Sequence, residues 1–192
     1  MPTKLIQLFY LTSLLLLWTP AGHADSMSKG MEAYQTGNFE EAYKIWHPMA
    51  EKGDANAQFN IGLMYRNGNG LKQDDRQALI WFSKAAQQGM LDAQYNTGLM
   101  YYEGRGVAVS KLEALEWWKL AANKGHAPSQ YNLAVLYAYG IATGKNIEKA
   151  LELWRLSAQQ GHEGARKALY EAYMKGMFGL TADPEIAKQW QD

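Results

Sequence analysis

The chain has 192 residues, 47% of them hydrophobic and 20% charged, with no cysteine and a formal net charge of zero. That content suits one folded domain and excludes a disordered tail. The even charge, with no block of one sign, excludes the basic footprint of a nucleic-acid binder. The missing thiols exclude disulfide staples, cysteine catalysis and cysteine metal sites.

The first predicted element is a leader. "MPTKLIQLFYLTSLLLLWTPAGHADS" carries one cation, Lys4, then an apolar run from Leu5 to Trp18, then Pro20 and the small residues Ala21, Gly22 and Ala24. A charged start, an apolar middle and a small-residue site form the order of a secretory signal peptide. The run is about 14 residues, short of the roughly 20 that span a bilayer. Residues 1–24 are therefore expected to be removed by cleavage after Ala24, giving a periplasmic or secreted protein with no membrane attachment. The remaining chain loses Lys4 and no acid, which leaves 18 basic residues against 19 acidic ones.

Beyond the leader the chain repeats itself every 36 residues. "AQFNIGLMYRNGNG" at 57–70 returns as "AQYNTGLMYYEGRG" at 93–106 and as "SQYNLAVLYAYGIA" from Ser129. Trp46, Phe82, Trp118, Trp154 and Trp190 form an aromatic register. Ala42, Ala78, Ala114 and Ala150 form another, as do Gly53, Gly89, Gly125 and Gly161. Tyr65, Tyr101, Tyr137 and Tyr173 are each followed three residues later by glycine. A fixed period of this length is the mark of a stacked-repeat architecture.

Each unit reads as two helices. Helix A places apolar residues at helical spacing, such as Tyr95, Leu99 and Tyr102, and ends at the Tyr-x-x-Gly glycine. Helix B follows an N-cap at Asn38, Asp74, Ser110 or Asn146, and ends at the Gly53 register. "NFEE" and "SKLE" have the capping-box form, with Glu41 and Glu113. Gly62 and Gly98 allow close helix approach. In the third unit Ala134 replaces that glycine, and the loop "GIATGK" moves the second loop glycine to Gly144. In the last unit Lys167 and Glu171 stand where the earlier units have aromatic and aliphatic residues. Its helix B is predicted to start at Asp183-Pro184.

"DAQYNTGLMYYEGRGV…ALEWWKLAANKGH" resembles the SEL-one-like repeat family, relatives of the tetratricopeptide repeats, over about residues 30–190. The resemblance implies an all-α fold, a right-handed α-solenoid of stacked antiparallel helix hairpins. The expected units are a tetratricopeptide-like hairpin at 25–53, repeats at 54–89 and 90–125, a divergent repeat at 126–161 and a truncated cap at 162–192. "AYQTGNFEEAYKIW" is the tetratricopeptide-like turn.

No nucleophile elbow, phosphate loop or His-Glu-x-x-His motif is written in the chain. His126 and His162 share a register in the inter-repeat turn, and two imidazoles fall short of the four ligands zinc takes. No cofactor, metal or catalytic residue is expected. The tryptophan register, regular among alanines, reads as core.

The resemblance implies a solenoid that binds other proteins along its concave helix A face. The expected partner-binding residues are Phe59, Leu63, Arg66, Tyr95, Tyr102, Glu103, Tyr131 and Tyr139, with Val135 and Ala138 beside them. Aromatic residues and arginine carry much of the energy at interfaces. Four hairpins at about 10 Å each give a groove of about 30–40 Å, room for about ten extended residues. The expected function is an exported interaction scaffold holding a protein or peptide segment, as regulator, adaptor or assembly factor. The other reading is a binder of cell-wall fragments or an enzyme with a site the motifs do not reveal. Self-association through the Trp190 end is the other contact the sequence raises.

Overall fold

The computed structural model of the chain describes residues 20–191; the apolar stretch of the predicted leader, Leu5–Trp18, lies outside them. Among the described residues every regular element is helical. Helix α1 spans Pro20–Gln35 and α2 Phe39–Glu51. The next three hairpins are α3 (Ala55–Asn67) with α4 (Asp75–Gln87), α5 (Leu91–Glu103) with α6 (Lys111–Ala122), and α7 (Ala127–Tyr139) with α8 (Ile147–Gln159). Helix α9 (Glu163–Lys175), a 3₁₀ turn at Met177–Gly179 and the short α10 (Pro184–Lys188) complete the stack. Helices adjacent in the chain make the main packing contacts, so the fold is an all-α solenoid of hairpins.

Local sequence sets each hairpin. The side chains of Asn38, Asp74, Ser110 and Asn146 each accept from the backbone N–H three residues on, satisfying a donor that the helix start leaves open. The A helices α3, α5, α7 and α9 all end on a left-handed glycine. The loop then returns to the tyrosine that precedes that glycine. Asp74, Ser110, Asn146 and Asp183 donate their N–H to the carbonyls of Tyr65, Tyr101, Tyr137 and Tyr173 at 2.8–3.0 Å. This explains why tyrosine, glycine and cap keep one register.

The second loop position is also left-handed in every unit. Gly70 and Gly106 hold it first, both at φ 70°. A Cβ there would meet Phe39 Cβ at 2.6 Å or the Asp75 backbone at 2.5 Å. In the third unit Ala142 takes the conformation at φ 57°, and not Gly144 as the loop sequence indicated. In the last unit Phe178 takes it at φ 61°. A side chain in that region costs about 1–2 kcal/mol.

The core runs between the two helix layers. Ala42, Ala78, Ala114 and Ala150 are fully buried, as are Trp46, Phe82, Trp118 and Trp154 to within 2%. Close approach requires the helix A glycines, because a Cβ on Gly62 would lie 2.7 Å from the Phe82 ring and one on Gly98 2.5 Å from Trp118 Nε1. A polar ladder joins neighbouring units. Gln58, Gln94 and Gln130 donate to the carbonyls of Ala50, Ala86 and Ala122, in the last turn of the preceding helix B. These carbonyls have no partner within their own helix.

The last hairpin departs from this plan. Tyr170 occupies the register of Gly62, Gly98 and Ala134, and fills the space into which the B-helix aromatic inserts elsewhere. Trp190 is only half-buried and, with Tyr170, Arg166, Lys167 and Gln191, lines an open cavity of about 600 Å³.

Candidate functional site

The helix A face carries two adjoining cavities. The first, of about 250 Å³, lies between α5 and α7 and is walled by Leu99, Tyr102, Trp118, Tyr131, Val135 and Leu136, with Glu103 and Asn132 beside them. The second, of about 360 Å³, lies between α7 and the α9 hairpin. Tyr131 and Val135 wall it from one side, Tyr139 and Trp154 from behind, and Ala168, Met177 and Phe178 from the other. Lys167 and Glu171 complete its lining. Tyr131 and Val135 thus form the ridge between the two.

Ring contacts fix the walls. The Tyr102 ring sits 5.3 Å from Trp118, with Lys111 Nζ 3.2 Å from its centroid on a cation–π contact. Lys111 also donates to the Tyr102 carbonyl. Trp118 Nε1 donates 3.1 Å to the Tyr95 carbonyl, which holds the indole in place. Tyr131 stacks on His162, with centroids 4.7 Å apart and planes at 25°. Phe178 lies edge-on to Tyr139 at 5.4 Å and 5.8 Å from Trp154. Its left-handed backbone is held by these ring contacts.

Four of the sequence-predicted residues, Tyr102, Glu103, Tyr131 and Tyr139, meet around these cavities; Tyr139 is 59% exposed. The other four do not line them. Phe59 packs 5.5 Å from Phe82, and Leu63 packs in the cluster of Ala78, Phe82 and Met100. Arg66 Nη1 donates to Asn96 Oδ1, and its guanidinium lies 5.7 Å from the Phe82 ring. Burial, reinforced by the charge of Arg105, holds the Arg66 pKa below its ordinary value. Tyr95 faces His126 at 5.5 Å. Ala138 is 1% exposed and belongs to the core, not the groove: its side chain is too short to reach the surface that Arg66 and Tyr102 reach from the same register.

The structure adds residues that the sequence placed elsewhere or passed over. Trp118 and Trp154 are 2% exposed, as core residues are, yet each forms the floor of a cavity. Lys167 and Glu171, expected as a polar end, border the second cavity. Nothing in the sequence marks Phe178; its position follows from a backbone conformation that glycine holds in the first two repeats.

The two histidines of the inter-repeat turn differ in chemistry. His126 Nε2 lies 3.2 Å from the Asp92 carboxylate and Nδ1 2.8 Å from Ser129 Oγ. His162 caps α9, its Nδ1 accepting from the Ala165 N–H at 3.2 Å, and burial lowers its pKa. Among the described residues no group of three or more His, Asp or Glu side chains is arranged to hold a metal ion, and no helix is long and apolar enough to cross a membrane.

Comparison with known proteins identifies the architecture. Over 67 residues the chain is 36% identical to an exopolysaccharide production negative regulator of Rhizobium leguminosarum bv. viciae, a match over 35% of this chain and 25% of that one. Over 59 residues it is 42% identical to the ERAD-associated E3 ubiquitin-protein ligase component HRD3A of Arabidopsis thaliana, a match over 30% of this chain and 9% of that one. The chain therefore spans a quarter or less of these relatives. A Sel1 repeat protein from Oxalobacter formigenes superposes with a TM-score of 0.78 at 32% identity, over 85% of this chain and 67% of that one. A protective antigen of uropathogenic Escherichia coli strains with an SLR fold superposes at 0.80 and 29% identity, over 88% and 37%. The Sel1 repeat profile matches residues 55–90, 91–126, 127–162 and 168–190, so the chain belongs to the Sel1 repeat family.

Proposed function

We propose that this protein is an exported, non-enzymatic scaffold that holds a segment of a partner protein along its helix A face, as a regulator, adaptor or assembly factor. The observation that carries this reading is the pair of adjoining aromatic cavities on either side of Tyr131 and Val135. Sites that take apolar side chains are concave, mostly apolar and edged by a few polar groups, and both cavities have that make-up. The family supports a scaffold role in general, and its members here include a regulator and a component of a larger ligase. Export rests on the order of Lys4, the apolar run and the small residues to Ala24. Cleavage there removes the first turn of α1 and the 2.9 Å contact of His23 with Asp54.

Affinity capture from an exported-protein extract tests the reading. The bait is used beside a variant with Tyr102, Tyr131 and Tyr139 changed to Ala and its helicity checked by circular dichroism. A partner retained by the first and lost by the second is expected. Equal capture by both would contradict the groove. Intact mass of the exported protein is expected to begin at Asp25; retention of Met1 would contradict export by cleavage.

A further inference from the structure

The lining of the groove specifies more than its place, on the reading that it holds a protein segment. The two cavities are one repeat apart. Neighbouring A helices touch directly, through Arg66 and Asn96, through Asp92 and His126, and through Tyr131 and His162. Helices in such contact lie about 8–10 Å apart. An extended β-strand reaches that distance in three residues, but its third residue points to the opposite face. A polyproline-II segment also advances about 9.3 Å in three residues, and its period of three returns residue i+3 to the same face. Aromatic-lined grooves suit that conformation, which has no internal hydrogen bonds to break. Here Tyr102, Trp118, Tyr131, Tyr139, Trp154 and Phe178 line the cavities.

Charge gives the groove a direction. Glu103 borders the α5–α7 cavity and Lys167 the α7–α9 cavity, and both are exposed. Neither forms a salt bridge among the described residues, whereas Glu171 is paired with Lys175 at 3.8 Å. One end of the strip is therefore acidic and the other basic. Complementary charges across an interface fix register and reject wrong partners.

We propose that the groove takes a protein segment in polyproline-II conformation, with large apolar side chains at i and i+3 seated in the two cavities, a basic group facing Glu103 and an acidic group facing Lys167. The test is selection of a displayed random ten-residue peptide library on the purified full chain and on its Glu103→Lys and Lys167→Glu variants, which alter exposed side chains. The expected ligands have two large apolar residues three apart, flanked by opposite charges. Each charge reversal is expected to weaken a selected peptide by about tenfold and to invert the preferred charge on its own side only. Apolar residues two or four apart, or charge preferences that ignore the substitutions, would overturn the proposal. A Val135→Trp variant, checked for helicity, separates this from the groove reading. Binding lost in that variant with a different spacing leaves the groove standing and sinks the polyproline-II segment. Binding unchanged in it, or no peptide selected at all, removes both.

Discussion

Gln88 Nε2 donates to Gln58 Oε1 at 2.8 Å, and one solenoid step apart Gln160 Nε2 makes the same bond to Gln130 Oε1 at the same distance. The intervening step lacks it. Lys124 stands in the register of Gln88 and Gln160, and Gln94 Oε1 is buried without a hydrogen-bond partner. Lys124→Gln is expected to restore the ladder and raise stability by about 1 kcal/mol, the usual net worth of one such bond. Lys124→Ala is expected to give no such gain. Urea midpoints of the two variants check this.

Thr97 is fully buried in the register of Ile61, Leu133 and Leu169, and its hydroxyl has no hydrogen-bond partner. An unpaired buried hydroxyl costs about 1–3 kcal/mol. Thr97→Val keeps the shape and removes that cost, so an increase of about 1–2 kcal/mol is expected. Thermal unfolding followed at 222 nm, with its midpoint moved upward, would show it.

Gly98→Ala is expected to destabilise by about 1–3 kcal/mol through overpacking. Its methyl would lie 2.5 Å from Trp118 Nε1 and push the indole from the Tyr95 carbonyl. The third unit shows the outcome: Ala134 holds the glycine's place, and Trp154 Nε1 is buried without a partner. Red-shifted tryptophan emission together with a lower urea midpoint would report the displacement.

Acid should loosen the last hairpin. His162 caps α9 through an unprotonated Nδ1, and burial lowers its pKa below the ordinary 6.5, with Glu163 offsetting part of that shift. The unfolded chain therefore binds this proton before the folded one does. Its contribution is complete above about pH 6.5 and declines as pH falls toward the lowered folded value. His162→Asn keeps a capping side chain that does not titrate. The loss of stability between pH 7 and pH 5 is expected to be smaller in this variant than in the natural chain. Equal losses would show that the cap does not sense pH.

Much of this architecture is legible in the sequence because it rests on local rules repeated in register. The N-caps, the Tyr-x-x-Gly ends and the tryptophan register act within one hairpin, so each can be read from its own stretch. The glutamine ladder is written at the same 36-residue spacing, but its first acceptors are backbone carbonyls, which carry no residue signature. Arg66, Tyr102 and Ala138 vary at one register, which marked them as exposed. In the folded chain Arg66 leans on Asn96 and Phe82, Tyr102 walls a cavity, and Ala138 is buried. Which member of a variable register reaches the surface depends on side-chain length and on the next repeat, and neither shows in the pattern. Phe178 lay furthest from view, since its role comes from a left-handed backbone conformation that its residue type disfavours.

Site-specific photocrosslinking tests the central claim, that partner protein lies on the helix A face. A photoreactive phenylalanine analogue is placed at Tyr139, 59% exposed beside the second cavity, and in a separate chain at Leu156, 41% exposed on α8. Irradiation in cells that export the protein is expected to give a covalent adduct from position 139 and none from 156. An adduct from 156 alone would place the partner on the helix B layer and contradict the account.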